Sequence, residues 1–351
     1  MSLKKLIHWS QSDFKELPWR KKRTLYGTLV SEIMLQQTTV GTVKNHYEKF
    51  LQKFPDLQSL ALASEEDLLI AWKGLGYYRR ARNLKKISEH IFQNHEGKFP
   101  STVEELQLIP GIGPYTSNAI IAIGKDARAL AVDANLERVI ARYFGLKVEK
   151  GPKLQKYILE LFHANKIFTD FKLSYRALNE ALMDLGRTYC QARKASCELC
   201  PLKMDCVAFK QQSALKYPLE KNIKDKIKEE HDLHLLRILV IKGEKILAYK
   251  KSEKEWLSGQ FEVPTLIIST TDKKLKQYPM LDVQVDLKEL TRFKTGITKY
   301  KILNSILLAD QTSLKKLGFK IKLEWRKFSE DQANLSTASL KALKYILDKN
   351  V

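Results

Sequence analysis

Four cysteines lie within one short stretch of this 351-residue chain, and they constrain the fold more than any other feature. They are the chain's entire cysteine content, Cys190, Cys197, Cys200 and Cys206, in the spacing C-x6-C-x2-C-x5-C. Such clustering is typical of a metal centre in a reducing compartment rather than of a set of disulfides. Zinc sites usually carry two C-x-x-C pairs, and only one pair occurs here, so zinc is the weaker alternative. Four thiolates in a compact loop suit a [4Fe–4S] cluster.

The chain before residue 213 has the periodicity of helices. Apolar residues recur at spacings of three and four over 25–35, 43–54, 64–71, 80–95 and 115–123. The segments that begin at Ser64 and Ser101 have the pattern of an N-cap followed by an acidic first turn. We therefore predict an all-α domain over residues 1–212, with the iron–sulfur loop at 190–206.

The composition changes after that domain. Residues 213–231 are polar and rich in lysine, which predicts a linker. Shorter periods then predict strands over 233–242 and 245–250 around a turn at Gly243-Glu244, and 336–347 has the pattern of an amphipathic helix. We predict a second domain of α+β class over residues 232–351.

The net charge of +21 comes from 61 Lys and Arg against 40 Asp and Glu. Such an excess favours a polyanionic partner, most often nucleic acid, although a generally lysine-rich composition is the alternative. The chain has no run of about 18 apolar residues, which a membrane span would need. Its N-terminus lacks the apolar stretch of a secretory signal. We expect a soluble, intracellular (cytoplasmic) protein that does not bind a membrane, and, without an oligomerisation seam, a monomer.

The helical domain also contains the motif Leu-Ile-Pro-Gly-Ile-Gly at 108–113, just before a predicted helix. Its two glycines, Gly111 and Gly113, predict a tight turn whose backbone N–H groups can face a DNA phosphate, as in a helix-hairpin-helix over about 106–123. An ordinary helix–helix turn is the alternative. Asp133 follows Gly113 by twenty residues, and by itself it could simply be the N-cap of the next helix.

The hairpin, the aspartate and the cysteine spacing together resemble the endonuclease III superfamily of base-excision glycosylases over residues 10–210. Further segments are similar to its adenine glycosylase (MutY) family: Leu-Pro-Trp-Arg at 17–20, Ser-Glu-Ile-Met-Leu-Gln-Gln-Thr at 31–38, Gly-Leu-Gly-Tyr-Tyr-Arg-Arg-Ala-Arg at 74–82 and Asn-Glu-Ala-Leu-Met-Asp-Leu-Gly at 179–186. The resemblance implies removal of adenine mispaired with 8-oxoguanine or guanine in double-stranded DNA.

The resemblance also implies catalytic roles. Glu32 would be the general acid that protonates adenine N7, which requires a raised pKa. Asp133 would stabilise the oxocarbenium ion or trap it. Tyr115 occupies the position where endonuclease III carries its lysine nucleophile, so we expect no Schiff base and a monofunctional enzyme. Asn135 would order the loop that carries Asp133.

Other matched positions imply contacts with the substrate. Trp19, Arg20 and Glu180 would line the adenine pocket. Gln37 and Tyr77 would wedge into the duplex when the base leaves the stack. The four cysteines would hold the [4Fe–4S] cluster.

The second domain would be the Nudix-like, lesion-recognising domain of the family. Trp-Leu-Ser-Gly-Gln-Phe-Glu-Val-Pro at 256–264 resembles its strand-entry motif, and the absence of a Nudix box predicts no pyrophosphatase activity. The family's Phe-Ser-His loop corresponds to residues 293–300, where Thr298 replaces Ser and Lys299 replaces His. This departure weakens the prediction of strict 8-oxoguanine selectivity, and a basic strand is the alternative.

Three other functions are compatible with these features. A mismatch thymine glycosylase can also carry tyrosine at the position of Tyr115. A bifunctional glycosylase/lyase is opposed by that tyrosine. A non-catalytic lesion-binding protein is opposed by the presence of both Glu32 and Asp133.

Overall fold

The computed structural model describes residues 2–169, 172–220, 229–328 and 334–348. The chain divides into two compact units. The first comprises Met1–Ala63 and Arg79–Lys224, and the second comprises Ser64–Tyr78 and Asp225–Val351. Part of the predicted linker, residues 221–228, lies outside the described residues, and the predicted domain boundaries stay a prediction.

Helices dominate the chain up to residue 210. In chain order they are α1 (Ser2–Phe14), α2 (Pro18–Lys21), α3 (Leu25–Leu35), α4 (Val40–Lys53), α5 (Leu57–Ala61), α6 (Glu65–Ala71), α7 (Arg79–Asn94), α8 (Val103–Gln107), α9 (Pro114–Ala119), α10 (Ala134–Phe144), α11 (Pro152–His163), α12 (Tyr175–Thr188) and α13 (Val207–Lys210). All but α6 belong to the first unit. The prediction of a helical first domain is confirmed.

Helix α3 is the interior helix of the first unit. It begins after Thr24, whose hydroxyl accepts a hydrogen bond from the Gly27 N–H at 2.9 Å as an N-cap. Its residues from Tyr26 to Met34 are all buried. A second core lies where α1, α10, α11 and α12 meet, and it includes Leu6, Leu136, Ile158 and Leu182. Glu32 is therefore carried into the interior by a helix that is apolar nearly all round.

Helices α8 and α9 form the predicted hairpin. Thr102, rather than Ser101, is the N-cap of α8, in a capping box with Glu105. Gly111 has φ +98°, a conformation that L side chains rarely adopt, and its carbonyl accepts a hydrogen bond from Asn83 Nδ2 at 3.0 Å. Helix α9 continues as a π-helical turn over Ile120–Gly124, and the two together cover the helix predicted over 115–123.

Sheets characterise the second unit. Its strands are β1 (His231–Leu239), β2 (Ile241–Lys242), β3 (Lys245–Lys250), β4 (Phe261–Glu262), β5 (Thr265–Thr270), β6 (Thr291–Ile297), β7 (Tyr300–Leu308) and β8 (Glu324–Lys327), with helices α14 (Gln311–Lys316) and α15 (Thr337–Leu347). One sheet has the order β5-β1-β7-β6, with β1 and β7 parallel. The other has the order β2-β3-β4, with β8 on β3.

The prediction of one strand over 233–242 is wrong in one respect. The segment is divided at Val240, because β1 belongs to the first sheet and β2 to the second. The Gly243-Glu244 turn is confirmed by the antiparallel pairs Ile241 with Ile246 and Lys242 with Lys245. Helix α15 packs Ala342 and Leu343 into a core with Phe261 and Ile306. In the part of the chain that the structure describes, every helix is too short or too polar to cross a bilayer.

Candidate active site

Glu32 is a buried carboxyl, with 4% of its surface exposed. The Tyr115 hydroxyl donates a hydrogen bond to its Oε2. Burial raises the pKa of Glu32 to about 7, opposed by the Tyr115 hydrogen bond and assisted by the negative charge of Asp133. Burial also raises the pKa of Tyr115, so the phenol stays protonated and acts as a donor. Near neutral pH, Glu32 can therefore exchange a proton, as a general acid must.

Asp133 is held differently, at the N-terminus of α10. It is the N-cap: Oδ1 accepts hydrogen bonds from the backbone N–H groups of Asn135 at 2.9 Å and Leu136 at 2.7 Å. The Asn135 side chain donates to the other oxygen at 2.8 Å. These three donors fix the orientation of the carboxylate at the start of the helix. The N-cap expectation is thus confirmed, and it fixes the carboxylate beside the same cavity as Glu32.

This cavity has a volume of about 760 Å³, and it brings together most of the predicted site residues of the first unit. They are Glu32, Tyr115, Asp133, Asn135, Trp19, Arg20, Gln37 and Glu180. Gly111 and Gly113 instead line a neighbouring cavity of about 930 Å³, and Gln36 and Tyr115 line both. The Trp19 ring packs edge-on against Tyr47, with 5.8 Å between ring centroids. Residues from Trp19 to Glu180 therefore converge on one site.

A network of arginines and carboxylates forms one wall. Arg23 donates to both oxygens of Glu180, at 2.5 and 3.0 Å. Arg20 donates to Asp184 at 3.0 Å, and its Nε lies 3.6 Å from Glu180 Oε2. Arg187 donates to the other Asp184 oxygen at 2.9 and 3.0 Å. Arg20 Nε is buried and makes no hydrogen bond with the described residues.

Sequence reasoning missed three members of this wall, Arg23, Asp184 and Arg187. The signal was helical spacing: Asp184 follows Glu180 by four residues and Arg187 follows Asp184 by three, which places them on one face of α12. Arg23 lies just beyond the Leu-Pro-Trp-Arg segment and carried no signal of its own.

Comparison with known proteins agrees with this geometry. Residues 30–164 match the family described as HhH-GPD superfamily base excision DNA repair protein. Over 253 residues the chain is 34% identical to the adenine DNA glycosylase of Buchnera aphidicola subsp. Acyrthosiphon pisum (strain APS), covering 71% of this chain and 69% of that relative. The adenine DNA glycosylase of Buchnera aphidicola subsp. Schizaphis graminum (strain Sg) is 37% identical over 211 residues, covering 60% of each chain.

The chain belongs to the adenine DNA glycosylase family. A solved structure described as a thermostable thymine-DNA glycosylase also matches, with 28% identity and a TM-score of 0.52 over 60% of this chain and 95% of that one. The helical unit therefore has the helix-hairpin-helix glycosylase fold of its family. The match spans only 60% of the length of the strain Sg relative.

In this member of the adenine DNA glycosylase family, the cysteine loop contacts α10. None of the four cysteines is in a disulfide. Arg142 donates to Cys190 Sγ at 3.3 Å, and Arg138 donates to the Cys190 carbonyl at 2.7 Å and to Asn135 Oδ1 at 2.9 Å. Burial raises the pKa of Cys200 to about 12, and charges on the other three cysteines would add to that rise.

These four thiols fit an iron–sulfur cluster in the chemistry of their donor set, since they are unpaired, partly buried and close enough to influence one another electrostatically. Over residues 2–169, 172–220, 229–328 and 334–348, no group of three or more His, Cys, Asp or Glu side chains converges closely enough to hold a metal ion. The four thiols therefore lie in one loop of the first unit.

The remaining predicted residues belong to the second unit. Tyr77 is 61% exposed and has φ +44° in a loop between α6 and α7. Thr298 and Lys299 form the two-residue turn between β6 and β7, where both are exposed and Thr298 has φ +49°. The segment 293–300 is thus a strand that ends in a hairpin turn, and its two tip residues are accessible to a ligand.

Proposed function

We propose that the chain is a monofunctional DNA glycosylase that hydrolyses the bond between adenine and deoxyribose in duplex DNA, opposite 8-oxoguanine or guanine. The observation that carries the proposal is the pair of carboxyl groups in one cavity. Burial raises the pKa of Glu32 to about 7, whereas Asp133 is held by three N–H donors at a helix N-terminus. Glycosidases use two carboxyl groups in such unequal environments for unequal tasks.

In the proposed reaction, Glu32 gives its proton to N7 of an adenine that has left the stack. The C1′–N9 bond then breaks and its electron pair leaves with the base. Asp133 stabilises the positive charge that develops at the sugar. Water adds to C1′ and returns a proton to the ionised Glu32, which restores the starting state. Tyr115 holds Glu32 through its hydroxyl.

We also propose that the enzyme does not cleave the DNA strand, because Tyr115 stands where a lyase would need an amine. A β-elimination would need an amine nucleophile, and the slot after Pro114 carries a phenol that is already engaged with Glu32. Treatment with borohydride should therefore trap little covalent protein–DNA complex. Accumulation of such a complex would favour the bifunctional alternative.

Binding to the DNA backbone is proposed for the hairpin turn at Gly111 and Gly113, supported by the net charge of +21. Cys190, Cys197, Cys200 and Cys206 would hold a [4Fe–4S] cluster, which would cross-link the loop through iron–thiolate bonds. No step of the hydrolysis involves it. Iron and sulfide analysis of anaerobically purified protein tests this, and Cys200→Ser should reduce both contents, whereas equal contents would exclude Cys200 as a ligand.

The second unit is proposed to be Nudix-like and to read the base opposite adenine through Thr298 and Lys299. Both are exposed at the tip of the β6–β7 hairpin. Thr298→Ala and Lys299→Ala should reduce the rate ratio between A:8-oxoG and A:G duplexes without lowering the A:G rate. An unchanged rate ratio would mean that Thr298 and Lys299 do not recognise the opposite base and that the segment is only a basic hairpin.

The main test is a single-turnover assay on duplexes that contain A:8-oxoG, A:G, T:G or A:T. We expect adenine release from the first two, and release on the order of a thousandfold slower with Glu32→Gln. Release of thymine from T:G would favour the second candidate, a mismatch thymine glycosylase, which is supported by the similarity to a solved thymine-DNA glycosylase.

A further inference from the structure

Arg80, near the start of α7, is buried, and its guanidinium contacts the C-terminal end of α3. Its Nη1 donates to the carbonyls of Ile33 at 3.0 Å and Met34 at 2.7 Å, and also to the carbonyl of Gln36. Its Nη2 donates to Thr38 Oγ1 at 2.9 Å. One side chain thus donates to four acceptors between Ile33 and Thr38, where the helix ends.

These contacts stabilise the backbone at the end of α3 in two ways. The last carbonyls of a helix have no partner within the helix and carry partial negative charge, so a cationic donor there is stabilising. Directly after the helix, Gln37 has φ +55°, which is unfavourable for a residue with a Cβ. Arg80 bonds to Gln36 before it and to Thr38 after it, so the guanidinium holds the strained residue from both sides.

The turn that Arg80 holds is one rim of the cavity that contains Glu32. Gln36, Gln37 and Thr38 all line that cavity, and Glu32 lies one helical turn before Gln36. A base inside a duplex cannot reach a buried carboxyl unless it leaves the stack and passes this rim. A rim that is already ordered loses little conformational entropy when the base enters.

We propose that Arg80 is a positioning residue that presets the 36–38 turn, and that this preset rim favours the extruded state of the target base. The inference rests on the proposed glycosylase function. Arg80 does not touch the reacting atoms. It acts through the backbone of the turn and through the end of the helix that carries Glu32.

The experiment uses the full chain with Glu32→Gln, so that DNA binds without being cut. 2-Aminopurine replaces the target adenine opposite guanine, and its fluorescence rises when it leaves the stack. Adding Arg80→Met should lower the extrusion equilibrium on the order of tenfold, because hydrogen bonds from a charged group are lost. Binding to a duplex with an abasic analogue, which has no base to extrude, should change much less. Arg80→Lys should recover part of the signal.

Lys86→Met is the matched control, since Lys86 is an exposed cation on the same helix, and it should behave as the parent does. An Arg80→Met chain that extrudes the base as fully as its parent overturns the proposal. So does a variant in which extrusion, abasic-duplex binding and thermal stability fall in parallel, because Arg80 would then only support the fold. If Arg80→Met does not fold, Arg80→Lys gives the decision.

Failure of the proposed function would look different. The parent itself would then bind DNA without any fluorescence rise. In that case the preset turn is tested by amide hydrogen exchange at Gln37 and Thr38. These amides should exchange faster in Arg80→Lys than in the parent, while the amides of α4 do not change. Equal exchange rates would overturn the role of Arg80.

Discussion

Glu32 in the first unit and Glu262 in the second are both buried glutamates, 4% and 1% exposed, but their surroundings move the pKa in opposite directions. The only hydrogen-bond donor described for the Glu32 carboxyl is the neutral Tyr115 hydroxyl, and burial raises the pKa to about 7. At Glu262 burial also acts to raise the pKa, but the charges of Arg237 and Lys251 outweigh it, so the pKa lies below its usual value. Only the first carboxyl can exchange a proton near neutral pH.

The hydrogen bonds of Glu262 show what a structural carboxylate requires. Arg237 pairs with it, Ser336 and Ser339 donate to Oε1 at 2.8 and 3.0 Å, and Tyr278 donates to Oε2 at 3.3 Å. Such a group links β1, β4 and α15 in the core, and it has no acceptor capacity left for a substrate. A buried carboxyl is therefore a candidate for chemistry when its donors are few and it faces a cavity, not merely because it is buried.

The largest expected effect is on catalysis, from Glu32→Gln. The rate of adenine excision should fall on the order of a thousandfold, because a general acid contributes about 10²–10⁴-fold. The fold should be retained, since the amide resembles the protonated carboxyl and can still accept from Tyr115. Single-turnover kinetics and thermal unfolding measure the two quantities. Glu48→Gln, an exposed change on α4, is the comparison variant. Near-full activity of Glu32→Gln would remove Glu32 from the chemistry.

Glu262→Gln should produce the opposite result. It removes the carboxylate that pairs with buried Arg237 and one of the two that pair with buried Lys251, so we expect the free energy of unfolding to fall by about 3 kcal/mol. Excision from A:G by the folded fraction should change little. Urea denaturation measures the loss, with the exposed Glu289→Gln as reference. If Glu262→Gln were as stable as the reference, the contrast between the two buried glutamates would not hold.

The site position of Glu32 could be predicted from the sequence, whereas the buried network of Glu262 could not, and the reason is physical. Glu32 lies in the Ser-Glu-Ile-Met-Leu-Gln-Gln-Thr segment, and helical periodicity alone located α3. Glu262 meets Arg237 and Ser336 across 25 and 74 positions of sequence. Strands β1 and β4 belong to different sheets and Ser336 is the N-cap of α15, so only the tertiary fold brings the three together. The buried contacts of Arg80 could not be predicted either, because no local pattern shows which arginine side chain points into the interior. Patterns locate elements, whereas long-range partners need the fold.

The third prediction concerns pH. Because only protonated Glu32 can donate, the excision rate should be level at acidic pH and fall about tenfold per unit above a pH near 7. The same pKa shift also makes the stability of the folded protein depend on pH. The folded pKa lies above the usual 4.5, so this group's contribution is complete below about 4.5 and is lost as pH rises through 7. Glu262, with a lowered pKa, contributes above 4.5 and loses its contribution as pH falls. A flat rate from pH 5 to 9 would contradict the assignment of Glu32.

The smallest expected effect is from Tyr115→Phe, and it tests why Glu32 titrates where it does. The Tyr115 hydrogen bond lowers the pKa of Glu32 against the larger effect of burial, so removing the hydroxyl should move the falling limb of the rate profile to higher pH, by less than about one unit. Tyr157→Phe, which changes an exposed tyrosine on α11, should leave the profile in place. A shift to lower pH would mean that the hydroxyl stabilises the protonated carboxyl instead. Tyr115 would then act as the acceptor of the Glu32 proton, and its hydroxyl would add to the rise in the pKa of Glu32 that burial causes.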